Sequence, residues 1–197
     1  MGYTITDFDI SSVPDGATCV FVGQRGSGKT FATKDLLYHK RHTPIVRVIS
    51  ATEAGNGSYS PHVPPCLISE QYDDEIVDEL MNRQRRLAEL AETDTRIANM
   101  DRSAVLIFDD IGYAVKQWQN SLSVREIMSN GRHWLLTFIV LLQYGKMVDP
   151  STRVNFDYIF LCPTVTGVAS LYETWGKGVF DTFKSLKSAS NIAPREA

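Results

Sequence analysis

Cysteine is scarce in this chain, with Cys19, Cys66 and Cys162 the whole complement in 197 residues. An odd number at wide spacing, with no CxxC and no matching histidine pair, excludes a disulfide framework and a zinc site and fits a reducing compartment. Long apolar runs are also missing. The longest, Trp134 to Leu142, has nine residues, about half of what a bilayer-spanning helix needs. The opening MGYTITDFDI has neither the basic start nor the apolar stretch of a signal peptide, so the chain reads as intracellular and soluble, with no stable membrane insertion. Strong net charge is absent too: Lys and Arg number 20 against 23 Asp and Glu, a formal charge of −3. That excludes a basic nucleic-acid coat protein. Residues 1–115 carry −6 and the remainder +3, so contact with a polyanion falls to local basic groups, more readily in the second part. There are no internal repeats or low-complexity tracts.

What is present suffices for a core: 43% of residues are hydrophobic and 10% aromatic, in a length that suits one α/β domain and excludes tandem modules. Apolar segments at 17–22, 44–50, 104–109, 135–143 and 158–162 are short, continuous and rich in β-branched or aromatic residues, as strands buried on both faces are. Helices are expected over 28–40, over 72–98 and over 117–129. The second carries Ile76, Val77, Leu80, Met81, Leu87, Leu90 and Ala91 at near-helical spacing, with Asp73, Asp74 and Glu75 suited to its N-terminal turn. The third should bury Trp118, Leu122, Ile127 and Met128 and end at Asn130-Gly131 as a left-handed cap. Residues 51–65, rich in Gly, Ser, Asn and Pro, read as a mobile loop. The alternation predicts an α/β fold with a mostly parallel sheet and helices on both faces. It forms a single domain over 1–197, its core at about 8–165 and a C-terminal helical segment over 166–197.

GQRGSGKT, residues 23–30, satisfies the G-x-x-x-x-G-K-[ST] template between an apolar strand and a helix. Gly23, Gly26 and Gly28 let the backbone of Gln24, Arg25 and Ser27 wrap phosphate oxygens, and the loop amides and helix dipole bind the anion. Lys29 reaches the β- and γ-phosphates of ATP, and Thr30 offers a hydroxyl to Mg²⁺. AVLIFDD, residues 104–110, is a strand that ends in two carboxylates, a Walker B pattern. Asp109 suits the metal and Asp110 the attacking water, as general base. Asp109 to Gly112 also spells DxxG, but the guanine-reading NKxD is absent, which disfavours a GTPase. LLTFIVLLQ, residues 135–143, is too apolar to be anything but central and delivers Gln143 to the nucleotide crevice as a phosphate or water sensor.

SNGRHWLLTFIVLLQYGKMVDPSTRVNFDYIFL, taken with the P-loop and the double-Asp strand, resembles the genome-packaging ATPases of large double-stranded DNA viruses, the poxvirus-type branch of the HerA/FtsK superfamily. The likeness runs from about Phe8 to Leu161. It implies an ASCE-type P-loop NTPase whose acid-bearing strand lies between the P-loop strand and the next. It further implies a homo-oligomeric ring, pentamer or hexamer, that hydrolyses ATP to move double-stranded DNA into a preformed capsid. Gln143 then matches the family's sensor glutamine. An arginine from a neighbouring subunit is expected to complete each site: Arg132 of the GRH motif first, Arg153 second, Arg125 third, with Arg25 able to act in cis. His133 reads as structural. DNA-contact candidates are Arg83, Arg85, Arg86, Lys146, Lys177, Lys184 and Lys187. Expected partners are the duplex and a capsid or portal vertex protein, in the host cytoplasm or virus factory or with the virion.

The chain departs from the family in carrying Asp110 where Glu is common, and in ending soon after Lys184, which points to a missing last edge strand and leaves no room for a nuclease domain. Such an enzyme pumps DNA without cutting it. Two other readings stay open. A nucleotide kinase shares the P-loop, although its lid normally clusters arginines and residues 51–65 hold none. A non-catalytic nucleotide-binding assembly switch would show turnover near background.

Overall fold

A computed structural model describes residues 7–162. The apolar segments form a six-stranded sheet in the order β3-β2-β4-β5-β1-β6, every pair parallel. The strands are β1 (Thr18–Val22), β2 (Ile45–Ser50), β3 (Ile68–Ser69), β4 (Ala104–Asp109), β5 (Leu136–Leu142) and β6 (Tyr158–Leu161). All of β1, β4 and β5 is buried, which is why these strands read as continuous apolar runs. The acid strand β4 does lie between β1 and β2, and β5 shares that interval, directly beside β1.

Alternate residues of each strand feed opposite cores. Val20, Val22, Leu106, Phe108, Phe138 and Val140 pack under α3 (Asp74–Thr93), α5 (Val115–Trp118) and α6 (Leu122–Asn130), meeting Val77, Leu80, Trp118 and Ile127. Phe108 makes edge-on contacts with Trp118 and Phe138 at centroid separations of 5.7 and 4.9 Å. The other face buries Cys19, Phe21, Val105, Ile107, Ile139 and Leu141 against Leu36 of α1 (Lys29–His39) and against Tyr59 and Val63. Two smaller helices, α2 (Glu53–Asn56) and α4 (Thr95–Ala98), precede β3 and β4, and α7 (Pro150–Arg153) precedes β6.

The long helix starts as its acids suggest: Asp73 accepts from the Glu75 amide and caps α3. Its inward face includes Gln84, 1% exposed, whose amide donates to the carbonyls of Arg102 (2.7 Å) and Trp134 (2.8 Å). The helix expected over 72–98 breaks at Asp94, which caps α4 through the Arg96 amide.

Four expectations need correction. The helix expected over 117–129 is two helices joined at Gln119–Ser121, and Leu122, at the mouth of the second, is 82% exposed. The Asn130-Gly131 cap does not form: Gly131 stays right-handed (φ −52°) and leads into a 3₁₀ turn over Gly131–Trp134, so Leu135 takes the left-handed turn at φ 55°. Residues 51–65 are not a bare loop, because they hold α2 and bury Glu53, Tyr59 and Val63. β3 was not expected; two residues carry no readable period. The segment 166–197, with Lys177, Lys184 and Lys187, lies outside the described residues. Among the described residues no helix is long and apolar enough to cross a membrane, and Cys19, Cys66 and Cys162 are free thiols.

Candidate active site

In a parallel sheet every strand delivers its C-terminal end to one edge, and here that edge gathers the loop after β1, the acids after β4 and the amide after β5. The loop leaves β1 still tied to β5, with the Gly23 amide donating to the Leu142 carbonyl at 3.0 Å. A side chain at Gly23 would place Cβ 2.4 Å from both the Cys162 carbonyl oxygen and Ser27 Oγ, so only glycine fits. Gly26 and Gly28 have φ of 77° and 88°, the left-handed region other residues avoid. Gly28 caps α1, and the unpaired amides of the helix's first turn make an anion site with the loop. The half-buried Lys29 ammonium folds over this loop and donates to the carbonyls of Gly23 (2.6 Å) and Gln24 (2.9 Å). Burial holds its pKa below the usual lysine value, opposed by the charges of Asp109, Cys162 and Asp110.

Asp109 ends β4 at 6% exposure. One of its oxygens, Oδ2, accepts from the Thr30 hydroxyl at 3.3 Å and from the Tyr59 hydroxyl at 2.8 Å. Burial pushes its carboxyl above the ordinary value, the Tyr59 and Thr30 hydrogen bonds draw it back, nearby Asp110 raises it and Lys29 lowers it. Asp110 turns out of the strand at φ 52°, a conformation Asp tolerates better than most residues. Its Oδ1 accepts from Gln143 Nε2 at 2.9 Å, which ties the end of β5 to the acid pair.

Together these groups bound an open cleft of about 440 Å³. Arg25, Gly26, Lys29, Thr30, Asp109, Asp110 and Gln143 line one side, while Gly23, Gln24, Ser27 and Gly28 complete the loop behind them. The other wall, Ala51, Thr52, Gly55 and Asn56, comes from the segment read as a mobile loop. Tyr59 and Glu53 were missed for the same reason; an aromatic within a Gly- and Ser-rich stretch was the available signal. Tyr59 is fully buried, and burial with the Asp109 charge holds its pKa well above the usual tyrosine value, so it remains a donor.

Arg132 does not join this cleft. It is exposed and sits just ahead of β5, where its backbone meets Gly16 before β1; a Cβ on Gly16 would lie 2.6 Å from Arg132 Cα. This is the opposite edge of the sheet, roughly 20 Å along β5 from Gln143. Arg125 donates to the Gln119 carbonyl and Asn120 Oδ1, bracing the turn between α5 and α6, and Arg153 donates to the Val148 carbonyl. His133 lies exposed beside Arg132. Of the long-helix arginines, Arg85 pairs with Glu126 at 2.6 Å and lies over the Trp134 ring, Arg83 donates to Gln84, and Arg86 is exposed.

Cation chemistry at this site fits a hard, oxygen-bound ion. The Thr30 hydroxyl and an Asp109 oxygen converge within hydrogen-bond distance, and among the described residues no group of three or more His, Cys, Asp or Glu could hold a metal by itself. That donor set suits Mg²⁺, which takes one or two protein oxygens and completes its shell with phosphates and water.

The fold has solved counterparts. The DNA-packaging ATPase of Sulfolobus turreted icosahedral virus superposes with a TM-score of 0.55 at 17% identity, over 89% of this chain and 90% of that one. The cytoplasmic domain of EssC gives a TM-score of 0.60 at 12% identity, over 85% of this chain and 36% of that one. Among curated sequences, a protein of Acanthamoeba polyphaga mimivirus is 31% identical over 167 residues, 84% of this chain and 59% of its own length. A protein of Invertebrate iridescent virus 6 is 34% identical over 151 residues, 74% of this chain and 54% of its own length. The chain thus spans little more than half the length of these relatives. Residues 9–170 match the Poxvirus A32 protein family. With a match over most of its length and a P-loop NTPase fold beneath it, the chain belongs to the Poxvirus A32 protein family.

Proposed function

We propose that this protein hydrolyses ATP with Mg²⁺ and, as a ring of copies, drives double-stranded viral DNA into a preformed capsid, at a capsid or portal vertex in the infected cell's cytoplasm or virus factory. The observation that carries the reading is the meeting of phosphate loop, acid pair and amide in one cleft, each from a different strand. On this reading Lys29 exchanges its loop carbonyls for the β- and γ-phosphates, and the loop amides with Arg25 offset the remaining charge. Thr30 and Asp109 would hold Mg²⁺, which supplies charge neutralisation between the phosphates. Asp110 accepts the proton of the attacking water while the Gln143 amide keeps that carboxylate aimed. Because the site is solvent-facing, groups from a neighbour can enter it. Arg132, on the far edge of its own sheet, reaches a nucleotide only in an adjacent copy.

Family membership and the likeness of the fold to a viral DNA-packaging ATPase support the DNA part of this reading. Its test is ATP turnover by the purified chain with and without duplex DNA. The expected result is DNA-stimulated hydrolysis that falls at least ~10³-fold in Lys29→Ala, the scale on which phosphate-positioning charges act. Undiminished hydrolysis in that variant overturns the site, and turnover at background despite tight ATP binding overturns the enzyme. Mixing Arg132→Ala with Lys29→Ala subunits should restore part of the activity; no restoration at any ratio removes Arg132 from the trans role.

A further inference from the structure

The chain between β2 and β3 lines the cleft and then enters the core. Its first turn, Ala51 to Asn56, forms a wall of the cleft, and Tyr59 follows with no exposed surface. Glu53, 7% exposed, fastens the two parts together: its carboxylate accepts from the Tyr59 amide at 3.0 and 3.1 Å and from the Ser60 amide at 2.7 Å. The Tyr59 ring packs in the same core face as Val48 and Ile107, a space a phenylalanine would fill equally. The hydroxyl is the part that packing does not require, and it is aimed at Asp109 Oδ2, the oxygen that also accepts from Thr30.

We infer that Tyr59 is a positioning residue for the cation-holding carboxylate, and that the strap over residues 51–60 couples the cleft wall to that carboxylate. A carboxylate torsion is broad and nearly two-fold, so an unrestrained Asp109 would sample several orientations. A buried phenol fixed by its own packing selects one of them. It occupies Oδ2 from the core side. The strap gives this restraint a second end: Thr52, Gly55 and Asn56 face the cleft, and the Glu53 hydrogen bonds carry a shift there to the Tyr59 backbone. Hydrogen-bond partners behind a metal ligand commonly account for ~10–100-fold in metal affinity.

This inference rests on the reading of Thr30 and Asp109 as a Mg²⁺ site, and its experiment separates the two. Binding of a fluorescent, non-hydrolysable ATP analogue to the full chain is measured in EDTA and across a Mg²⁺ titration, with thermal melting of each protein alongside. Tyr59→Phe should bind the analogue in EDTA within about two-fold of the parent, while the Mg²⁺ midpoint rises roughly ten-fold. Glu53→Gln, which weakens the strap without touching the core, should move the midpoint the same way by roughly three-fold. A parent protein whose nucleotide binding ignores Mg²⁺ overturns the cation site and the role of Tyr59 with it. A Mg²⁺-dependent parent whose midpoint is unmoved in both variants overturns the inference alone. So does a Tyr59→Phe protein that loses affinity equally in EDTA and in Mg²⁺, because that is damage to packing.

Discussion

Replacing Asp109 by asparagine should make the protein more stable while disabling it. The carboxylate is nearly sealed from solvent and stands beside a second acid, both of which disfavour its charge. Acting the other way are two hydroxyl donors on Oδ2 and the nearby Lys29. Asparagine has nearly the same shape and keeps a carbonyl oxygen for Tyr59 and Thr30, but it gives up the charge-assisted part of those bonds, about 1 kcal/mol each. The raised pKa of Asp109 means that burial and Asp110 together outweigh the donors and Lys29. Removing the charge should therefore raise stability at neutral pH, seen as a higher urea midpoint and a higher melting temperature than the parent's. The pH dependence fixes the sign. With the folded value above the ordinary 3.8, the folded state holds more protons between those two values, so the wild-type protein loses stability as pH rises through that window. The advantage of Asp109→Asn should be full above the window and shrink as pH falls toward 3.8. Urea unfolding in EDTA at several pH values measures it, with Mg²⁺-dependent ATP turnover as the functional arm. A variant less stable than the parent at neutral pH, or one whose advantage grows in acid, refutes the balance of charges drawn here.

Two further substitutions probe different parts of the frame. Gly23→Ala puts a methyl 2.4 Å from the Cys162 carbonyl, so the loop must shift; an overpacking cost of about 1–3 kcal/mol and at least ~10-fold weaker nucleotide binding are expected, by melting and by analogue titration, and unchanged affinity would count against the close approach. Gln84→Leu leaves the carbonyls of Arg102 and Trp134 without their shared donor, for an expected loss of ~2–4 kcal/mol in urea unfolding with little change in nucleotide affinity; a loss below ~0.5 kcal/mol would mean water replaces the amide.

The strands and the phosphate loop were legible because their signals are local: a continuous apolar run, or glycines at fixed offsets. Asp109, Asp110 and Gln143 were legible as strand ends, and the parallel order of the sheet brings such ends together. Tyr59 was not, since its partner is 50 residues away and its neighbours have the composition of a loop. Leu122 misled because a helical period was carried across Gln119–Ser121, where the chain turns and resets the phase. The Asn130-Gly131 pair has the chemistry of a cap, yet a side chain on Gly131 would lie 2.9 Å from the Leu136 carbonyl, so that glycine serves packing and the left-handed turn moves to Leu135. The position of Arg132 at the base of β5 was legible from the parallel order alone. A residue that precedes a parallel strand lies at the edge opposite to the loop that follows its neighbour.

The placement of β5 between β1 and β4 makes that strand a spacer as well as a carrier of Gln143. Two strand intervals, roughly 9.6 Å, set the width between the phosphate loop and the acids. Gly23 is stitched to the end of this spacer and Asp110 to its terminal amide, so both jaws of the cleft take their separation from one strip of backbone. A substitution deep in β5, at Phe138 or Val140, that altered its twist would reset the gauge of the cleft without touching a single group in it.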